Sequence, residues 1–493
     1  MKKIKVIIFF VILFVFIYLR LAPVINQTVP YTYDQGRDFM KAAEMIRNQR
    51  PTFIGPTTGI MGVFHGAWWF YLITIPYLLF RGLPIGFYIF MLLIATGANL
   101  LFAFFIKKRF DDISALVFLS IVASSPYFIP LAFSAGNNVV VPYLILLLIV
   151  MIFRIFDKKQ SNIVYFLIGL SLTFIFEFEV AFGLFLLPVF TFTSLLFREV
   201  RFKLYKIKNI PYLMAGLAIP LIPRALFEIK NHFLQTKTLL GFFLNPKLHN
   251  PKPFLNVVSD RISLFANYGK GLFAGNYPIV LLVVILATLF ILIFYSKKNR
   301  YIGATRFITI LIALLFAISL YYKDNFWVNY YEGIQYLFLI LVIIAFHLLN
   351  KQKKFIAIPI LLLFVFLNIA TASSDFINSS KIREPIGLKE AQTATLYVYQ
   401  QRQGEYLCLR IYTPPVIPYT YHYLLDYYAG KYHIRYPKGD FVDNKCWFII
   451  ESDSYQFRVD GWRRNNIPEG SKLIKKNTIS NNVTIEEWQL KAD

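Results

Sequence analysis

A chain of 493 residues that is 57% hydrophobic and only 16% charged, with a mean hydropathy of +0.54, holds more apolar surface than a water-soluble core can hide. A net charge of +24 would suit a nucleic-acid binder, but the Lys and Arg stand in short runs between apolar blocks and not on one soluble domain, which excludes that class. The blocks are uniformly apolar, so they read as lipid-crossing helices and not as the alternating strands of a barrel.

The first block, Ile4–Leu19, follows Lys2, Lys3 and Lys5. No A-x-A cleavage site comes after it, so it reads as a retained span and not as a signal peptide. Successive spans are expected at 4–22, 84–106, 113–132, 139–154, 162–176, 180–197, 210–226, 276–296, 303–320, 333–349 and 355–372. That makes about 11 helices at roughly 20 residues each. Basic runs at Lys2–Lys5, Lys107–Arg109, Arg154–Lys159, Arg198–Lys208, Lys297–Arg300 and Lys351–Lys354 fall on alternate connections. The intervening connections carry almost no Lys or Arg. This bias sets the N-terminus in the cytoplasm of a plasma-membrane protein and the C-terminal tail outside. Gly66–Phe80 is apolar but short and rich in Trp and Tyr; counted as a span it would invert every later loop. It is expected to be a re-entrant or interfacial helix.

The expected fold class is thus an all-α polytopic membrane protein with outer-face juxtamembrane helices, followed by a small α/β domain. The membrane domain covers 1–375, with outer loops at 23–83 and 227–275, and the extracytoplasmic domain covers 376–493. In the latter, helices are expected at Leu388–Gln401 and Pro418–Tyr428, closed by Gly430, and strands at Tyr406–Tyr412, Trp447–Ile450 and Thr478–Trp488. The two cysteines, Cys408 and Cys446, lie on or beside strands and are either a disulfide or two buried thiols. Tyr412, Tyr419, Tyr421, Tyr423, Tyr427 and Tyr428 either stack on sugars or pack as core.

Ionisable groups at membrane depth are costly and need a reason. On the outer side they are Asp34, Arg37 and Asp38 in the first loop, Glu177 and Glu179 in a turn too short to leave the membrane surface, Arg224 and Glu228 at the end of the seventh span, and Lys230 and His232 just after. Each has a plain alternative. Asp34 is an N-cap, Glu177 and Glu179 a solvated turn, Arg224 and Glu228 an i, i+4 pair, and His65 a loop histidine. Phe39, Ala42, Ala43 and Ile46 form the apolar stripe of a surface-lying helix over Gln35–Gln49. No nucleotide-binding, zinc-protease or CxxC motif is present.

A single span, a large outer loop with an acidic motif, here Tyr31-Thr32-Tyr33-Asp34-Gln35-Gly36-Arg37-Asp38, and surface-lying helices resemble the GT-C superfamily of polyprenyl-phosphate-sugar glycosyltransferases. Its family 39 members, related to protein O-mannosyltransferases and the lipid A aminoarabinose transferase, are similar in general plan. The family commonly has Asp-Glu where this chain has Asp34-Gln35. His65-Gly66-Ala67-Trp68-Trp69-Phe70-Tyr71 is similar to a second family stretch but lacks its prolines. The resemblance implies inverting transfer of a sugar from undecaprenyl phosphate to an acceptor hydroxyl, with a glycan, lipid or protein as acceptor. It implies Asp34 as catalytic base. Asp38, Glu177, Glu179 and Glu228 would be supporting acids or sugar ligands. Arg37, Arg224, Lys230 and His232 would bind the donor phosphate, and His65, Trp68 and Trp69 would line the way in. No cofactor and no nucleic-acid partner are expected. A metal stays unassigned, since oligosaccharyl relatives use one and aminoarabinose and mannose transferases do not. The alternative reading is a transporter or flippase for a lipid-linked or amphipathic substrate, which calls for midplane charges and broken helices. A bare anchor for the tail leaves the acidic loop unexplained.

Overall fold

The computed structural model describes residues 2–245, 251–273, 301–352, 387–401, 406–414 and 417–490, with 359, 362 and 365–371. The expected spans 276–296 and most of 355–372, the run Lys297–Arg300, and residues 376–386 lie outside the described residues.

Nine of the expected spans meet a helix. These are α1 (Lys2–Ile25), α4 (Pro84–Arg109), α5 (Asp112–Ser124), α7 (Val141–Ile155), α8 (Asn162–Phe178), α9 (Val180–Leu196), α11 (Ile210–Lys230), α14 (Ile302–Ser319) and α15 (Ile334–Gln352). Between them lie α2 (Tyr33–Asn48), α3 (Trp68–Leu79), α6 (Phe128–Leu131), α10 (Arg198–Leu204), α12 (Leu234–Leu244) and α13 (Phe254–Lys270). Among the described residues six helices are long and apolar enough to cross a membrane, and α9 with the α10 bend of 111° makes a seventh. The chain is an integral membrane protein. The expected span 113–132 is shorter than its apolar block. Helix α5 stops at Ser124 because Pro126 pushes Ser125 out of the helical region, and the chain resumes as the single turn of α6. Helix α3, at 12 residues, is about 18 Å long and too short to cross.

The basic runs converge on one end. Lys5 and Lys107 reach Asp112 at 2.9 and 3.2 Å, and Arg109 and Arg154 reach Asp157 at 2.5 and 3.7 Å. Lys203 caps the end of α7 through the carbonyls of Ile155 and Asp157, both at 3.0 Å. Glu177 and Glu179 stand at the far end of α8, and Asp34 shares a cavity with Glu179 there.

Helices α8 and α11 run parallel and nearly touch. A Cβ on Gly169 would sit 2.4 Å from the Leu213 carbonyl oxygen, and one on Gly216 would sit 2.1 Å from that of Phe166. Small residues let helices in lipid approach this closely. The same separation of 47 residues recurs about two turns further on, where Glu177 meets Arg224.

One buried charge had no place in the expectations. Arg20, fully buried near the end of α1, donates to the carbonyls of Phe16, Val122, Ala123 and Phe128 at 2.6–3.1 Å and lies 3.8 Å over the Phe16 ring. It satisfies the orphan carbonyls where α5 stops short, a favourable place for a cation at a helix C-terminus.

The tail folds as a four-stranded sheet flanked by helices. Strands β1 (Leu409–Tyr412), β2 (Lys445–Glu451), β3 (Lys472–Ser480) and β4 (Val483–Gln489) take the order β1-β2-β4-β3, with β1 and β2 parallel and the other pairs antiparallel. The stretch Thr478–Trp488, expected to hold a third strand, takes in the end of β3 and most of β4, because Asn481 and Asn482 reverse the chain between them. Helix α16 (Leu388–Gln400) follows expectation. Helix α17 (Tyr419–Tyr432) passes through Gly430 and ends at left-handed His433, and α18 (Gln456–Asn466) was not expected. The parallel register pairs Leu409 with Trp447, which sets Cys408 opposite Cys446; they form a disulfide with Cα atoms 4.7 Å apart. Tyr421, Tyr423 and Tyr428 are buried and pack as core.

This domain is not a bare appendage. Its α17 lies along α2, and Gly36 permits the contact, since a Cβ there would be 2.4 Å from the Thr420 backbone nitrogen. Tyr31 donates to the Thr420 carbonyl at 3.1 Å, Tyr423 donates to that of Gly82 at 2.6 Å, and Arg47 pairs with Asp426 at 2.9 Å. The expected apolar stripe of α2 is thereby covered by protein: Phe39 stacks 3.8 Å from Phe87 and stands 5.5 Å from Tyr423.

Candidate active site

Helix α2 begins at Thr32, not at Asp34. The Thr32 backbone N–H donates to Gln35 Oε1 at 2.7 Å, closing a capping box, which gives Gln35 its own structural task. Asp34 is thus released from capping. Its side chain is 70% exposed and lines a cavity of about 950 Å³. Arg37 pairs with Asp34 Oδ1 at 2.9 Å and with Asp38 Oδ1 at 2.8 Å, and the other oxygen of Asp38 accepts from Trp69 Nε1 at 2.8 Å. A line therefore runs from buried Trp69 through buried Asp38 and half-buried Arg37 to exposed Asp34. Burial pushes the Asp38 carboxyl up to about 7, against the pull of Arg37 and Trp69.

The cavity wall also includes His65, Thr57, Asn137, Asn138, Glu179, Lys252, Tyr322, Asp324, Asn325, Trp327 and Tyr330. One side, with Leu239, Phe242 and Phe243 of α12, is apolar. Glu179, in the turn joining α8 and α9, is buried, and burial raises its carboxyl to about 8. At neutral pH it is a hydrogen-bond donor as well as an acceptor. Burial, with Arg224 and Arg37 nearby, lowers His65 to about 3, so the ring stays neutral. Its Nδ1 accepts from the Val180 N–H at 3.4 Å.

Other expected site residues stand apart. Glu177 is fully buried and paired with Arg224, Nε to Oε1 at 2.5 Å, and neither lines the cavity. Arg224 also donates to the Phe64 carbonyl at 3.1 Å and to Gln235 Oε1 at 2.9 Å, fixing the strip that carries His65. Glu228 caps α12, accepting from the N–H groups of Gln235 and Thr236 at 3.0 and 3.1 Å and from the Thr236 hydroxyl at 2.7 Å. The expected i, i+4 pairing of Arg224 with Glu228 gives way to these partners. Lys230 and His232 are exposed at the end of α11, away from the cavity wall. Trp68 donates to the Pro220 carbonyl at 2.7 Å, tying α3 to α11. Among the described residues no three His, Cys, Asp or Glu side chains converge as metal ligands.

The sequence reading passed over Lys252 and the stretch Tyr322–Tyr330. Their signal was available: Asp324, Asn325 and Asn329 stand among aromatic residues in a connection almost free of Lys and Arg.

No family model matches the chain, and no curated protein matches it. Solved structures do. ArnT from Cupriavidus metallidurans bound to undecaprenyl phosphate aligns at TM-score 0.59 and 10% identity, over 98% of this chain and 97% of that one. The apo state of the same protein aligns at 0.59 over 99% and 98%. This chain has the GT-C fold. The Archaeoglobus fulgidus oligosaccharyltransferase in complex with Zn and sulfate also aligns, at TM-score 0.51 and 12% identity, over 85% of this chain and 57% of that one. The nearly complete mutual coverage with ArnT takes in the tail domain as well as the membrane body.

Proposed function

We propose that the protein is an inverting glycosyltransferase. It moves a sugar from a polyprenyl phosphate, undecaprenyl phosphate in a bacterial membrane, to an acceptor hydroxyl on the extracytoplasmic face. The observation that carries this is Asp34: an exposed carboxylate, freed from capping and held by Arg37, on the wall of a cavity at the membrane end opposite the basic runs. The fold is shared with a protein captured with undecaprenyl phosphate.

In this reading the acceptor oxygen attacks the anomeric carbon on the face opposite the phosphate. Asp34 takes the hydroxyl proton as the bond forms. The bond from the anomeric carbon to the phosphate oxygen breaks, and its electron pair leaves on the polyprenyl phosphate. Arg37, which lines the cavity, opposes the charge growing on that leaving group. Arg37 also fixes Asp34, since its guanidinium is braced from behind by Asp38 and Trp69. Glu179, Asn137 and Asn138 hold hydroxyls of the donor sugar. Glu177, Arg224 and Glu228 act as scaffold, and Lys230 and His232 take no part.

Purified protein supplied with a labelled undecaprenyl-phosphate sugar and an acceptor should release undecaprenyl phosphate. The product linkage should have the anomeric configuration opposite to the donor's when read by NMR. A product of retained configuration would contradict the mechanism.

A further inference from the structure

A second cavity of about 340 Å³ opens beside the first and shares Lys252, Asn325 and Trp327 with it. One wall is α13. Asp260, Ser263 and Asn267, at i, i+3 and i+7, face the cavity along one stripe, while Val257, Arg261, Leu264 and Tyr268 are the buried positions of the helix.

The facing wall is the connection between α14 and α15, and its backbone is pinned. Arg261 donates to the carbonyls of Ser319, Tyr322 and Asp324 at 3.3, 2.7 and 3.3 Å, and its guanidinium lies 4.5 Å over Phe326. The Lys252 N–H donates to the Lys323 carbonyl at 3.1 Å, and the Tyr268 hydroxyl to that of Val328 at 2.8 Å. On this fixed backbone Trp327 is 61% exposed. An indole left open on a pinned backbone where the two cavities meet is a stacking surface for a flat ligand face.

The charges say what kind of ligand. Arg261 is committed to three carbonyls, and Lys252 is neutralised by Asp260 at 2.6 Å. An anion in the smaller cavity would meet Asp260 with both cations already engaged. What remains toward the space are Ser263, Asn267 and Asn325, neutral groups that donate and accept hydrogen bonds. An apolar ring face beside neutral hydrogen-bonding groups matches a sugar ring.

We infer that the acceptor is a neutral oligosaccharide: its reacting ring lies in the larger cavity by Asp34 and its next ring stacks on Trp327 in the smaller one. The place of the reacting ring rests on the proposed transfer reaction; the stacking of the second ring does not.

The test uses the full chain in nanodiscs and a panel of neutral gluco-, manno-, galacto- and chito-oligosaccharides from single rings to tetrasaccharides, with oligogalacturonate as the anionic control. Binding is read by saturation-transfer NMR and calorimetry. At least one neutral series should bind, and bind more tightly as a disaccharide than as a single ring. Trp327→Ala should weaken it by about tenfold, roughly 1.4 kcal/mol, with Trp327→Phe restoring most of the loss, and Asn267→Ala should weaken it less. Where the bound glycan also serves as acceptor, Trp327→Ala should raise its KM and leave kcat and donor hydrolysis near the parent values. Failure of the whole neutral panel to bind the parent protein would overturn the inference. So would equal binding by Trp327→Ala, preference for oligogalacturonate, or a Trp327 effect confined to membrane partitioning, the mark of an interfacial anchor. Saccharide binding that depends on Trp327 in a protein that transfers no sugar would sink the transfer reaction and leave this site standing.

Discussion

Two carboxylate–arginine pairs stand at the end of the molecule opposite the basic runs, and they differ in every respect that matters to chemistry. Glu177, fully buried, meets the mostly buried Arg224 at the ends of two parallel helices locked by a glycine contact, away from the cavity. Asp34 and Arg37 sit on the first turns of a helix lying across that end, with the carboxylate open to the cavity. A sealed pair has been taken out of water for good and can only hold structure. An open pair keeps a carboxylate that a substrate hydroxyl can reach. From the sequence the two looked alike, as acidic and basic residues next to apolar blocks. The difference comes from Thr32 and Gln35, which free Asp34 from capping, and from Gly169 and Gly216, which force Glu177 onto Arg224.

The largest effect expected on stability is at the sealed pair. Arg224→Ala should cost about 3–5 kcal/mol by leaving Glu177 buried and unpaired, read as a fall in the unfolding midpoint in nanodiscs. The double variant Glu177→Leu with Arg224→Met should recover most of that loss. If Arg224→Ala instead left stability unchanged and abolished donor binding, the pair would belong to the active site and the contrast would collapse.

Gly36→Ala sharpens the other side of the comparison. The added methyl meets the Thr420 backbone, so α17 or α2 must move, at a cost of about 1–3 kcal/mol. Transfer should fall with it because Asp34 rides on α2. Protection of α17 amides by hydrogen exchange would report the loosening.

A further effect is a change of slope with pH. Glu179 in the folded state titrates at about 8 because it is buried, against roughly 4.3 unfolded. Between those values the folded protein holds more protons than the unfolded chain, so this group makes stability fall as pH rises from about 4 toward 8. Glu179→Gln should flatten that slope and lift activity on the alkaline side of the pH profile. An unaltered profile would remove Glu179 from the cavity chemistry.

Much of the membrane body was legible because lipid imposes long apolar blocks and a charge bias that a linear sequence displays directly. The break after Ser124 was legible too, in Pro126, had the apolar block not masked it. The tail was read less well. Asn481-Asn482 within a β-prone stretch marks a turn, and it was missed. The site was half legible. Asp34, Arg37, Asp38 and Glu179 carry polar side chains where few are expected. The roles of Trp69 behind Asp38, Arg20 under α5 and Trp327 on its shelf depend on contacts between residues far apart in sequence, and no local pattern encodes those.

The contrast between the open and the sealed carboxylate is tested most directly by Asp34→Asn and Glu177→Gln side by side, in nanodiscs with a labelled undecaprenyl-phosphate sugar and an acceptor that the parent protein uses. Asp34→Asn should lower the transfer rate by about 10²–10⁴-fold while the unfolding midpoint stays near the parent value. Glu177→Gln should lower the midpoint and retain transfer in the fraction that remains folded. Transfer by Asp34→Asn at the parent rate would contradict the account.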